Sequence, residues 1–174
     1  MLFVVRFSTT HDVISWAIRH RTDFFISHVE FQIVRSWIDA RGEIHPAGST
    51  LGSRFPSGVK WREPIKNIKQ RNAIVVARPG TDIAAQWLDA NRIGYKYDLR
   101  GIFGIASGNR DWHDKKERFC SEAVTEAFEE GPKEQLFNPW AKCWEITPRD
   151  VFLARGWTVL SGPKNLKRIQ ETAS

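Results

Sequence analysis

Sulfur is scarce in this chain: 174 residues hold two cysteines, Cys120 and Cys143, and one methionine. Two thiols at that separation match no metal-binding spacing and build no disulfide framework, so neither a metal nor another cofactor is expected. A single Cys120–Cys143 bridge can be drawn, but a free thiol in a reducing compartment is the simpler reading. Long apolar runs are missing too. The N-terminal Met1-Leu2-Phe3-Val4-Val5 is broken by Arg6 and has no basic segment before it, so it reads as neither a signal peptide nor a membrane span. Synthesis in the cytoplasm follows as an expectation; the final site of action does not. No block of five or more Lys/Arg occurs, and no internal repeat, low-complexity tract or linker is visible. The net charge of +6 and pI near 9.6 are therefore spread over the surface. Without a nucleic-acid motif they do not favour nucleic acid, and an anionic surface such as bacterial cell wall accounts for them equally well.

What is present is an ordinary globular composition with many large rings. Hydrophobic residues make up 41% and charged residues 26%, which suits one domain over 1–174 with a real core. Eight tryptophans and eleven phenylalanines supply bulk for that core and for a ligand groove. Leu2 to Phe7 is rich in β-formers and reads as a strand. Thr9 to Asp12 caps a helix running to about His20. Phe24 to Val34 reads as a strand that alternates from Val29, with Val29, Phe31 and Ile33 on one face and His28, Glu30 and Gln32 on the other. Trp37-Ile38 and Glu43-Ile44-His45 flank an Asp39-Ala40-Arg41-Gly42 turn, suggesting a return strand beside it. Pro46 to Gly58, rich in Gly, Ser and Pro, reads as an exposed loop.

Further on, Val59–Pro64 and Asn72–Arg78 are strand candidates. Thr81-Asp82 caps a helix to about Arg92 that carries Ile83, Trp87 and Leu88 inward. A Gly-rich apolar stretch surrounds Ile102 to Ile105. A helix opens at Cys120, with Ala123, Val124, Ala127 and Phe128 at helical spacing, and stops at Gly131-Pro132. The polar residues Asp111 to Glu117 ahead of it predict a helix start near solvent. Thr147 to Asp150 starts a short helix, Gly156 to Leu160 closes a strand, and a polar tail frays from about 162. The pattern is α+β with a mostly antiparallel sheet.

A thiol at a helix N-terminus feels the positive end of the helix dipole, which favours thiolate and suits a nucleophile. The plainer alternative is that Cys120 is a small buried hydrophobe. A nucleophilic thiol needs a base, and the base needs an orienting group. Of the five histidines, His11 and His20 lie on or beside the first helix and His113 lies among charges. His28 heads a strand, which holds its side-chain direction well, and is the base candidate. For the orienting group, His45 on the return strand ranks first and Glu43 second. Glu30 ranks third, because side chains two apart on a strand stand roughly 6–7 Å from each other.

Ser27-His28-Val29-Glu30-Phe31, Gly94-Tyr95-Lys96-Tyr97-Asp98 and Phe119-Cys120-Ser121-Glu122, in that order, resemble the permuted branch of the NlpC/P60 superfamily. That branch includes the YiiX-like and YaeF-like papain-fold cysteine hydrolases and is related to the lecithin retinol acyltransferases. In it the histidine strand precedes the cysteine helix, as here, and the resemblance covers roughly residues 24–155. It implies a circularly permuted papain-like fold, a mostly antiparallel sheet or small barrel packed against the cysteine helix. Position by position, it implies Cys120 as nucleophile, His28 as base, His45 as the polar third member and Tyr97 beside the oxyanion. Gly58 to Arg62 and Thr147 to Phe152 resemble the family's Gly-Val strand and its Thr-Pro-x-Asp stretch. Two departures stand out: Glu30 replaces the usual small glycine, and the gap from His28 to His45 needs a hairpin extension.

The expected activity is cleavage of an amide through a thioester, in bacterial cell-wall peptides by analogy with the family. The Pro46–Gly58 loop with Trp61 or Trp112 is expected to line the groove. A lipid or acyl amidase or an acyltransferase is the alternative within the same chemistry, and a non-catalytic binding domain the alternative outside it. Partners would be a peptide or acyl-amide substrate and an anionic wall surface; the oligomeric state is left open.

Overall fold

The computed structural model describes residues 1–9, 13–64, 73–107, 116–137 and 145–162. The elements run β1 (Phe3–Ser8), α1 (Val13–Thr22), β2 (His28–Ile33), β3 (Trp37–Ile38), β4 (Ile44–His45), β5 (Thr50–Arg54), β6 (Gly58–Arg62) and β7 (Ile74–Ala77). They continue through α2 (Thr81–Arg92), α3 (Leu99–Ser107), α4 (Cys120–Glu130), α5 (Pro148–Leu153) and β8 (Thr158–Ser161). Six strands form one antiparallel sheet in the order β6-β5-β2-β1-β7-β8, while β3 and β4 pair as a separate ribbon. The α+β, mostly antiparallel expectation holds. The described strands close no barrel, because β6 and β8 remain unpaired edges.

Alternation along the strands sorts the side chains onto two faces. Phe3, Val5 and Phe7 of β1 lie opposite Ile33, Phe31 and Val29 of β2, and all six are buried on the face that α4 covers. Phe128 of α4 meets Phe31 there, with ring centroids 6.0 Å apart. On the other face Arg6 lies opposite Glu30, and Ser8 opposite His28. Helix α4 is buried along almost its whole length, from Cys120 to Phe128.

Several sequence expectations are corrected. Thr50–Arg54 is not an exposed loop but the buried strand β5, the neighbour of β2. Its pattern is hidden by Gly52, which has to be small: a Cβ there would stand 2.8 Å from Glu30 Cβ. The ribbon β3–β4 therefore does not flank β2, and His45 does not sit on a neighbouring strand. Residues Phe24 to Ser27 precede the strand rather than belong to it, and the apolar stretch at 99–107 is helix α3. Asp98 accepts the Gly101 N–H at 2.6 Å and so caps that helix. In α2, Ala84, Ala85 and Leu88 point inward, whereas Ile83 is 55% exposed. Asp82 does not cap its helix through its side chain; it accepts the backbone N–H groups of Leu2 and Phe3. The frayed tail from about 162 falls almost wholly outside the described residues, as do His11, Trp112, His113 and Cys143.

One glycine delivers the middle of the chain to the site. Gly58 has φ +68, and a Cβ on it would lie 1.9 Å from the Tyr95 carbonyl oxygen. The close approach lets Val59 N donate to Tyr95 O at 2.8 Å and Gly94 N donate to Val59 O at 2.9 Å. This lashes the Gly94–Tyr97 segment to the sheet. Gly58→Ala is expected to lose more than about 2 kcal/mol of stability, because φ strain and a backbone clash add. Gly42→Ala has a similar φ, +81, but open space around it, and should lose only about 1 kcal/mol. Urea unfolding of the two variants separates these terms; equal losses would show that the approach at Gly58 carries no weight.

Candidate active site

Three segments converge beside the start of β2. Cys120 is the first residue of α4, after Phe119 in extended conformation, and the Glu122 carboxyl accepts the Phe119 N–H at 3.4 Å. Ser121 Oγ donates to Ile146 O at 2.7 Å, fixing the same turn from the other side. Cys120 Sγ lies 3.9 Å from the carbonyl oxygen of Ser27, the residue immediately before His28. The thiol is free and fully buried. The expectation of a solvent-facing helix start is thus corrected: Ile18 of α1 and Ile102 of α3 pack with Tyr97 and Phe119 and roof the first turn of α4.

His28 is 5% exposed and donates from Nε2 to Glu30 Oε2 at 3.1 Å. Burial alone would lower the imidazole pKa, but the charges of Glu30 and then Cys120, with their hydrogen bonds, outweigh it and raise it to about 9. Glu30 is completely buried and held by three cationic neighbours. Arg54 Nη2 donates to both of its oxygens at 2.8 and 2.9 Å, and Arg6 Nη1 to Oε1 at 3.3 Å. Burial would raise the carboxyl pKa; His28 first, then Arg54 and Arg6, bring it down to about 2. The arrangement is a cysteine, a histidine and a carboxylate in series, and Glu30 favours the state in which the proton shared by the first two sits on His28.

Glu30, the least favoured third member by sequence, is the residue that the structure brings to His28. His45 and Glu43 stand elsewhere. His45 Nε2 donates to Asp39 Oδ2 at 3.1 Å, and its ring stacks on Trp61 at 4.1 Å. Glu43 belongs to the same β3–β4 turn, where its N–H donates to Asp39 Oδ1 at 2.9 Å. The physical reason is topological: β5 occupies the place beside β2 that the His45 strand was expected to fill. The two-residue spacing of His28 and Glu30 is spanned because both side chains are long and lean along the strand.

A cavity of about 130 Å³ opens beside this series. Its polar wall comprises Ser15, Ser27, His28 and Arg54, and its apolar wall Ile14 and Ile18 of α1, Phe55 and Tyr97. Phe55 meets Tyr97 edge to face at 5.8 Å. Tyr97 lines the same cavity as His28. The expected groove loop contributes Arg54 and Phe55, whereas Trp61 turns away to donate from Nε1 to Asp89 Oδ1 at 2.7 Å. Arg54 is the site residue that sequence reasoning missed; its signal was hidden with the strand that carries it.

Among the described residues, one other group has the composition of a metal site. Asp39, Glu43 and His45 each offer a ligand atom within 4.8 Å of the others. The Arg41 guanidinium, however, donates to Asp39 Oδ2 at 3.1 and 2.7 Å, and the Arg41 and Glu43 N–H groups both donate to Oδ1 at 2.9 Å. These bonds outweigh burial and hold the Asp39 carboxyl well below its usual range. A cation would have to displace a guanidinium already in place, so the donor set does not fit a metal.

No protein-family model matches the chain. No curated protein matches it by sequence. Among solved structures, the fold is similar to that of the metalloprotein YiiX from Escherichia coli O157:H7, with a TM-score of 0.65 and 15% identity. The match covers 94% of this chain and 97% of that one. At that identity the likeness establishes the fold alone. No helix among the described residues is long and apolar enough to cross a membrane.

The electrostatics of the pair give a pH dependence of fixed sign. His28 has a folded pKa above the unfolded one, so its stabilising contribution is complete below about 6.5 and is lost as pH rises through about 9. Glu30 is depressed, so its contribution is present above about 4.5 and is lost as pH falls through about 2. NMR titration of the His28 ring should place its midpoint near 9, and Glu30→Gln should move that midpoint down, because the largest raising charge is gone. A midpoint at the ordinary imidazole value in the native chain would contradict the pairing.

Proposed function

We propose that the chain is a cysteine hydrolase of the permuted NlpC/P60 type, acting on an amide through a thioester. The observation that carries this reading is the Cys120–His28–Glu30 series at a helix N-terminus, with Tyr97 on the same small cavity. His28 takes the Cys120 proton, and the sulfur attacks the amide carbonyl. The tetrahedral intermediate collapses as the imidazolium protonates the leaving amine, and a water activated by the same imidazole releases the acid. Glu30 holds the ring orientation and stabilises its charged form, the role assigned to the third member of such triads. In this reading the developing oxyanion is stabilised by backbone N–H groups of the first turn of α4 and by the Tyr97 hydroxyl.

The substrate class is a peptide or acyl amide. Cell-wall stem peptides are the first choice by likeness to the family. A lipid amide is the second, favoured by the apolar wall formed by Ile14, Ile18 and Phe55. The structural neighbour is named a metalloprotein; among the described residues of this chain, the one cluster with metal-ligand composition is that occupied by Arg41.

Cys120→Ala and His28→Ala should each lower hydrolysis of wall fragments or acyl amides by at least about a thousandfold while the fold is kept. Glu30→Gln should lower it less and also destabilise the chain, because Arg6 and Arg54 lose their buried partner. Full activity in folded Cys120→Ala would end the thiol reading.

A further inference from the structure

The charges around Glu30, beside the cavity, are uneven. Arg6, Arg54, Arg62 and His28 lie close enough to interact, and the carboxylate among them is Glu30. Four positive groups thus share one carboxylate. The crowding leaves a mark: burial, followed by repulsion from Arg54, lowers Arg62 to about 10, and burial lowers Arg6 as well.

The cations differ in what they have left to offer. Arg62 spends its donors on Gly52, Lys60 and Gly58 carbonyls and on Ser57 Oγ. Arg6 is turned into Glu30. Arg54 uses Nη2 on Glu30, keeps a buried Nε without a hydrogen-bond partner, and is a quarter exposed where it lines the cavity. Among the described residues it is the one Arg or Lys in the cavity wall.

We infer that Arg54 forms an anion subsite next to Cys120, and that the substrate carries a carboxylate within reach of it, beside the scissile amide. A single guanidinium with part of its donor set open matches a monoanionic carboxylate, whereas a phosphate dianion draws several cations. The cavity volume of about 130 Å³ admits a group of carboxylate size. The inference rests on the thiol reading above and names the substrate class for it. Arg54 thereby has two tasks, positioning Glu30 through Nη2 and binding the substrate anion with the rest of the guanidinium.

The test compares alkylation of Cys120 by iodoacetate and by iodoacetamide, read by peptide mass spectrometry on the full chain at neutral pH and low salt. The two reagents differ by one negative charge. A free cysteine peptide, on which like charge slows iodoacetate, gives the reference ratio. At Cys120 the ratio of iodoacetate to iodoacetamide rates should exceed that reference by about tenfold or more. Arg54→Met should remove most of the excess, Arg54→Lys should keep it, and Lys133→Met, which removes an exposed charge elsewhere, should leave it unchanged. A second arm uses acyl-dipeptides that differ only in a C-terminal carboxylate or carboxamide. The carboxylate form should be hydrolysed with about tenfold higher kcat/KM, and Arg54→Met should level the two.

A ratio at Cys120 equal to the reference, or one unmoved by Arg54→Met, overturns the subsite and leaves the thiol reading standing. Failure of both reagents to modify Cys120, together with no turnover of either dipeptide, overturns the thiol reading itself and the subsite with it.

Discussion

The structure depends on burying one carboxylate. Glu30 is fully enclosed in the middle of the sheet, and an isolated carboxylate there would cost far more than the fold can supply. It is tolerated because the strands on both sides answer it: Arg6 from β1, Arg54 from β5, and His28 from two residues earlier on β2. That need fixes the register of three strands, since a one-residue slip would send Glu30 into the apolar face beside Phe31. It also explains Gly52, whose missing Cβ leaves room for the Glu30 stem. The same charge pair that organises the sheet sets the protonation of the histidine beside Cys120.

Around this pair the helices have complementary tasks. Helix α4 brings a thiol, its dipole and a row of small and apolar residues to the core face, so its first turn is locked by packing as well as by Glu122 and Ser121. Helix α1 covers the thiol: Ser15 and Ser27 share a hydroxyl hydrogen bond, and Arg149 Nη1 donates to Thr22 O at 2.8 Å at the far end of the helix. Cys120 is fully buried in this arrangement, and the small cavity between α1, Arg54 and Tyr97 opens beside its neighbour His28.

Much of this was legible in the sequence. The periodicities of β2, α2 and α4 are strong, and the Thr147-Pro148-Arg149-Asp150 cap of α5 forms as read, with Thr147 and Asp150 bonding each other. The pairing of Cys120 with His28 was also legible, because chain order and residue type carry it. The third partner was not. Gly52 and Ser53 erase the alternation of β5, so the strand between β2 and β6 vanished into a loop and the β3–β4 ribbon was placed in its stead. His45 then looked like a neighbour of His28, although a carboxylate on the same strand was within reach. Arg54 disappeared with β5. The burial of the Cys120 turn was equally hidden, because it depends on α1 and α3 folding back over a helix start whose flanking sequence is polar.

The central claim is that Cys120, driven by His28, forms an acyl bond. The most direct measurement is mass spectrometry of the chain after brief exposure to an activated acyl ester. The account predicts one acyl group on the Cys120 peptide in the native chain, little on Cys143, and loss of the modification in His28→Ala. Acylation of Cys120 that persists unchanged in His28→Ala, or that appears only on Cys143, would contradict it.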